Sequence, residues 1–251
     1  MRRAIISDIH ANLPALEAVL ADIETRNVDA IYCLGDVIGY GPFPRQCLEK
    51  ARELQLNLMG NHEEAVLFEP IGFNPKAREA IEWTKEQLSL PDRPREENRE
   101  LWNFVGGMLD RHVEDGALFV HGSPREPIRE YVFVSDVHNH EKMDEIFSCL
   151  EPRVCFAGHT HTAGVFTEDY QFYAPGMMQN RFTLDDRKAI INVGSVGQPR
   201  DGDPRAAYVI YDQRAKEVEL RRLEYDIAAA QKRIRDAGLP DRLALRLEKG
   251  K

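Results

Sequence analysis

Ala4-Ile5-Ile6-Ser7-Asp8-Ile9-His10 is an apolar run too short for a helix, and it ends in a carboxylic acid and an imidazole two residues apart. Strand alternation points Asp8 and His10 the same way. The event recurs four times. Ile31-Tyr32-Cys33-Leu34 runs into Gly35-Asp36, and Leu56-Asn57-Leu58-Met59 into Gly60-Asn61-His62-Glu63. Ala117-Leu118-Phe119-Val120 runs into His121-Gly122, and Val154-Cys155-Phe156-Ala157 into Gly158-His159-Thr160-His161. Each is a buried-strand signal that stops at a side chain able to hold a metal. In open α/β sheets, ligands bind beyond the carboxyl ends of the strands. The five ends therefore predict one rim carrying Asp8, His10, Asp36, Asn61, His62, His121, His159 and His161.

Between these ends the pattern is helical. Asn12 suits an N-cap, and Leu13, Leu16, Val19, Leu20 and Ile23 follow at helical spacing, so the first two strands form a βαβ unit with parallel pairing. Pro44 to Leu54 reads as a second helix. The segment of about 64–107 has no strong strand signal and two helical patterns, near Lys76–Leu88 and Glu96–Val105. It reads as a helical excursion that either covers the rim or packs on a sheet face. A helix is expected near His138–Leu150. Beyond His161 the chain turns to short strands and turns, which suggests an antiparallel meander, before a last helix at Ile227 to Ala237. A parallel half followed by an antiparallel half implies two packed sheets with helices outside, within one domain over 1–251.

A formal net charge of -9 opposes binding to nucleic-acid backbones, which needs basic surface. It leaves room for a small phosphate ester, because bound cations reverse the local field. Cys33, Cys47, Cys149 and Cys155 show no CxxC spacing, which fits a disulfide-free cytoplasmic protein. No secretory leader pattern opens the chain and no apolar run approaches ~18 residues, so no membrane association is expected. A homo-oligomer stays open.

Taken singly, each motif has an ordinary reading: a hydrogen-bonded core histidine, a turn, an N-cap. Together they are more specific, since five of the eight histidines fall at strand ends. The other three, His112, His138 and His140, read as surface or helix-end residues. A set of carboxylates, imidazoles and one amide, without thiolate, suits Mn, Fe, Zn, Co or Ni. Eight candidates exceed what one ion needs. Two ions need a bridge, and Asp36 is the natural one, because a neutral imidazole cannot bridge two cations.

In order, Asp8-x-His10, Gly35-Asp36, Gly60-Asn61-His62-Glu63, His121-Gly122 and Gly158-His159-Thr160-His161 resemble the motif series of the calcineurin-like metallophosphoesterase superfamily. The likeness extends to Gly194-Ser195 and is strongest to the small bacterial and archaeal phosphodiesterase-like branch. It implies a four-layer α-β-β-α sandwich, with two mixed β-sheets face to face and flanking helices. It also implies two divalent ions. Asp8, His10 and His161 would hold the first, Asn61, His121 and His159 the second, and Asp36 both. His62 would be the acid and would contact phosphate with Asn61; either Asp8 or Glu63 would orient it. The implied reaction is hydrolysis of a phosphodiester or phosphomonoester by a metal-bridging hydroxide. Rival readings are a dinucleoside polyphosphate or nucleotide pyrophosphate hydrolase, a serine/threonine protein phosphatase, and a partner-binding scaffold on the same fold. Gly39-Tyr40-Gly41 stands where phosphatases of the superfamily carry Asp-Arg-Gly, so the usual phosphate-gripping arginine is missing. Arg125 and Arg200 suit that role, with plain surface solubility as the alternative. Tyr40 suits stacking on a base or aryl group, with loop packing as the alternative.

Overall fold

Strand β1 (Arg2–Ile6) is buried on both faces. Ala4 and Ile6 pack outward against helix α1 (Leu13–Glu24), while Ile5 turns inward to a second sheet. That two-sided burial explains the continuous apolar run. The computed structural model describes residues 1–251. β1 pairs in parallel with β2 (Ala30–Cys33), which pairs in parallel with β3 (Leu56–Asn57). Its other edge takes β11 (Ala206–Asp212), then β12 (Glu217–Leu223) and β9 (Arg181–Thr183), all antiparallel. The second sheet runs β4 (Arg111–Glu114), β5 (Ala117–Val120), β6 (Val154–Ala157), β10 (Ala189–Asn192), β7 (Gly164–Thr167) and β8 (Gln171–Tyr173). Here β5, β6 and β10 are parallel and the outer pairs antiparallel.

Three apolar layers hold the stack together. One lies between the sheets, where Ile5, Leu34, Phe119, Phe156, Ile191 and Val209 meet. One lies under α1, α2 (Pro44–Ala51) and the excursion helices α3 (Asn61–Leu67), α4 (Pro75–Leu88) and α5 (Arg95–Gly106). The third lies under α6 (His140–Ser148), through Met143, Ile146 and Phe147. The result is an α/β four-layer sandwich of two mixed six-stranded sheets with flanking helices. A fourth cluster joins α7 (Ile227–Asp236) and α8 (Asp241–Leu247) to Ala80 of α4. No helix is long and apolar enough to cross a membrane.

The strands after His161 do not form a meander. β7, β8 and β10 join the second sheet, whereas β9, β11 and β12 join the first. Alternation identifies a strand but not its partner, and both sheets present edges that need pairing. β4 carries too polar a sequence for a strand signal, yet it forms a hairpin with β5, and His112 packs on it against Tyr32 and Phe119. His138 and His140 lie at helix ends. The charged C-terminal stretch forms α8 because Leu243, Ala244 and Leu247 find an apolar bed on α7. The excursion does two things. Arg45 of α2 donates to the Gln87 and Leu88 carbonyls and to Asn98, locking α4 and α5 in place. The α3–α4 connection, with Ile71 and Phe73, walls the mouth of the site described next.

Candidate metal centre

Strand alternation does not bring Asp8 and His10 together. β1 ends at Ile6, and Asp8, His10 and Ala11 all take left-handed backbone angles, with φ of 54°, 48° and 50°. Asp36, His159 and His161 do the same, at 53°, 65° and 58°. Such angles cost non-glycine residues on the order of 1 kcal/mol each and cluster where a site over-determines them. The over-determination is visible here. Asp8 N donates to Gly35 O (3.0 Å) and His10 N to Asp36 O (2.9 Å), so the loops after β1 and β2 lace together. Ser195 Oγ and Gly197 N both donate to Asp8 O, at 2.8 and 2.9 Å, and His159 N donates to Asp8 Oδ2 at 3.0 Å.

The side chains that result form two groups sharing one carboxylate. Ligand-type atoms of Asp8, His10, Asp36 and His161 lie within 4.8 Å of one another, as do those of Asp36, His121 and His159. All are buried. The Asn61 amide oxygen lies 3.3 Å from His121 Nε2 and joins the second group. Asp36 Oδ2 lies 3.7 Å from His10 Nε2 and 3.4 Å from His121 Nε2.

Protonation makes the arrangement informative. His10 Nδ1 donates to Ile38 O (3.2 Å) and His161 Nδ1 to Gln198 O (2.5 Å). A carbonyl only accepts, so each neutral ring keeps its lone pair on Nε2. Those two Nε2 atoms face each other at 3.1 Å. The second group repeats this. His121 Nδ1 donates to Leu34 O (3.0 Å), His159 Nε2 donates to Arg129 O (3.0 Å), and the remaining nitrogens meet at 3.1 Å. Two lone pairs aimed at one point repel unless a cation stands between them. Asp8 Oδ1, fully buried, has no hydrogen-bond partner either. With two buried carboxylates and four imidazoles converging, the donor set fits divalent ions of the Mn–Zn series. Without metal, a proton is the available counter-charge: against burial, which pulls it down, Asp36 raises His121 to about 9. Burial would raise Asp36 and Asp8, but neighbouring imidazoles hold both well below the usual carboxylate range.

His62 sits at the start of α3, with Nε2 4.0 Å from Asp36 Oδ2 and its own N–H donating to Asp36 Oδ1 at 2.9 Å. Neither Asp8 nor Glu63 hydrogen-bonds its ring. Glu63 instead accepts from the backbone N–H of Asp36, Ile38 and Gly60, at 2.7, 3.1 and 2.9 Å, and ties the loop after β2 to α3. Burial and the nearby Asp36 charge raise Glu63 to about 7, which the backbone donors only partly oppose. His62 is held by ring packing on Tyr40 (4.4 Å between centroids), His10 (4.7 Å) and Phe73 (4.9 Å), and its buried Nδ1 has no partner. Burial lowers it to about 4. Two glycines make room. A Cβ at Gly60 would stand 2.1 Å from Asp36 Oδ1, and one at Gly39, whose φ is +86°, would stand 2.0 Å from His62 Nδ1.

A cavity of about 340 Å³ opens onto the second group, with Asn61 and His159 at its base. Tyr40 and Tyr131 line it, and Tyr131 stacks on His159 at 3.7 Å. Arg200 lies beside Tyr40, its Cζ 5.9 Å from the ring centre. Arg125 is drawn away, ion-paired with Glu130 and Glu145. Tyr131 and Arg129 have no motif, and only the fold brings them to the mouth.

A family model described as the calcineurin-like phosphoesterase superfamily domain matches residues 1–216. An uncharacterized protein of Methanocaldococcus jannaschii is 37% identical over 254 aligned positions, covering 99% of this chain and 98% of that one. The crystal structure of a metallophosphoesterase from Sphaerobacter thermophilus is 40% identical, with a TM-score of 0.84 over 100% of this chain and 99% of that one. A hypothetical protein from Pyrococcus horikoshii OT3 shares the fold at 18% identity, with a TM-score of 0.75 over 100% and 98% of the two chains.

Proposed function

The chain belongs to the calcineurin-like phosphoesterase superfamily, and we propose that it is a dinuclear metal-dependent hydrolase of a small phosphodiester or phosphomonoester. The observation that carries this reading is the pair of donor groups whose nitrogen lone pairs face each other on either side of the shared Asp36 carboxylate. Asp8, His10 and His161 would hold one ion, His121, His159 and Asn61 the other, and Asp36 both. Such ions acidify water and draw charge from phosphoryl oxygens. The identity among Mn, Fe, Zn, Ni and Co is an occupancy question for metal analysis.

The chain's own residues do the rest. His62 stands over Asp36 with one buried ring nitrogen unpartnered, and supplies the proton to the leaving oxygen. A positioned acid is worth ~10²–10⁴-fold. Its ring is neutral when the site is empty; an arriving phosphate anion favours the protonated form. Phe73, Ile71 and Tyr131 line the mouth. Four unpaired cysteines, three of them buried, support a reducing cytoplasmic setting.

The test is a turnover screen of the Mn-loaded protein against aryl phosphodiesters, aryl monoesters and dinucleotides, with metal content measured alongside. Hydrolysis that a chelator abolishes and His62→Gln reduces at least a hundredfold is expected. Two bound ions with no turnover of any ester would move the protein to the scaffold reading.

A further inference from the structure

Beside the mouth lies a second cavity of about 260 Å³, and Tyr40 and Tyr131 line both. Its lining brings together Lys76, Arg200, Arg242 and Arg246 and contains no carboxylate. None of the four pairs with an Asp or Glu side chain, whereas nearby in sequence Arg205 pairs with Asp203 and Arg222 with Asp201. In a chain of net charge -9, four cations around one hollow with no Asp or Glu among them call for an explanation. Arg242 and Arg246 are one turn apart on α8, so they share a face. Arg246 is half-buried and its Nε–H donates to Lys251 O at 2.6 Å. Arg200 is held by Gln198 Oε1, at 3.3 Å from Nε and 2.9 Å from Nη2. The Gln198 carbonyl in turn takes the Nδ1–H of His161, so one residue anchors both the cationic hollow and the metal group. Surface solubility explains exposed Lys76 and Arg242. It does not explain why Arg246, pulled down to about 10 by burial and then by Arg200, stays against a like charge. Both α8 arginines lie beyond the residues that the family model matches.

We propose that the substrate is a phosphate ester carrying a second phosphoryl group, which seats among Arg200, Arg242, Arg246 and Lys76 while the ester phosphorus lies at the metal groups. The inference rests on the hydrolase reading above. Guanidinium groups suit a phosphoryl group because their forks match its oxygens, and those of Arg200 and Arg246 are already held by Gln198 and Lys251. The aromatic pair, Tyr40 and Tyr131, lines both cavities and so would lie alongside the segment joining the two anions.

Binding, rather than turnover, is the test. Calorimetry on the Mn-loaded full chain compares alkylene bisphosphonates of two to five methylenes with alkyl monophosphonates of matching length. At least one bisphosphonate should bind about tenfold tighter than its monophosphonate, the worth of one charge-assisted contact. That ratio should fall toward one in Arg242→Gln/Arg246→Gln. Exposed Arg242→Gln alone should lower it partway, and a thermal melt verifies that both variants fold. Equal affinities across the whole series, or a ratio that survives the double substitution, would overturn the inference. A preference for bisphosphonates without turnover of any ester would leave the anion pocket standing and sink the hydrolase reading; turnover without the preference would do the reverse.

Discussion

Asp36→Asn isolates the claim that one carboxylate serves two cations. The substitution keeps the shape and leaves an oxygen to accept the His62 N–H that Asp36 Oδ1 now accepts at 2.9 Å. What it removes is a charge 3.4 Å from His121 Nε2 and 3.7 Å from His10 Nε2. With an effective dielectric of about 20, a carboxylate and a unit positive charge ~3–4 Å apart attract by ~4–6 kcal/mol, the scale of what an adjacent cation would lose. Water that enters as a replacement ligand recovers part of this, and removing one partner of a buried charge pair typically costs ~3–5 kcal/mol. Taking ~3 kcal/mol, both ions should bind on the order of 10²-fold more weakly. Thermal unfolding turns this into a simple readout. At a Mn concentration ~100 times the wild-type Kd of each site, each bound ion stabilises by ~2.7 kcal/mol, which for a chain of this size is ~5–10 °C in Tm per ion. At that concentration the variant sits near its own Kd, where the gain is ~0.4 kcal/mol, about 1 °C, per ion. Calorimetric titration should show two sites weakened together. Loss of one ion with the other at wild-type affinity would refute the shared role, and an undiminished Tm gain would refute the centre altogether.

Gly39→Ala should displace His62, since the added Cβ would lie 2.0 Å from Nδ1 at a φ of +86°; ester turnover should drop ~10²-fold or more while Mn affinity stays, and unchanged turnover would argue against His62 as the acid. Phe156→Ala removes a fully buried ring stacked on Phe119 (5.4 Å between centroids) in the layer between the sheets. It should cost about 3–5 kcal/mol and lower Tm by about 6–20 °C, so a fall under ~3 °C would show that the layer repacks. Asp22 accepts from Tyr208, Arg221 and Arg26, at 2.6, 2.8 and 2.6 Å. Burial works to raise its carboxyl, but these bonds hold it down to about 2. A pKa lower in the fold than the ordinary 3.8 stabilises above that value and stops doing so as pH falls through about 2. The Tm gap between wild type and Asp22→Asn should therefore be widest near neutrality and close in acid; a gap independent of pH would contradict the assignment.

What was readable from residues alone is what depends on near neighbours in the chain. An apolar run stopping at Asp8, Asp36, His121 or Gly158 marks a buried strand and its end, because solvent and side-chain chemistry act locally. Five such ends sufficed to name the acidic, amide and imidazole side chains that the fold gathers at one rim. Alternation misassigned the reason why Asp8 and His10 converge: their left-handed angles are imposed by bonds to loops 26 to 189 residues away, such as those from Ser195 and Gly197. Nor did anything local separate Arg125, which finds Glu130 and Glu145, from Arg200, which finds none.

The candidate metal donors that the fold brings together were therefore legible in the sequence, since imidazole and carboxylate chemistry is carried by the residue itself. The tertiary structure decided what each side chain meets. It dealt β7 to β12 between two sheets, set lone pair against lone pair, brought Tyr131 and α8 to the mouth, and left Arg242 and Arg246 without Asp or Glu partners. Those outcomes depend on packing between segments far apart in the chain, and no window along the sequence contains both partners.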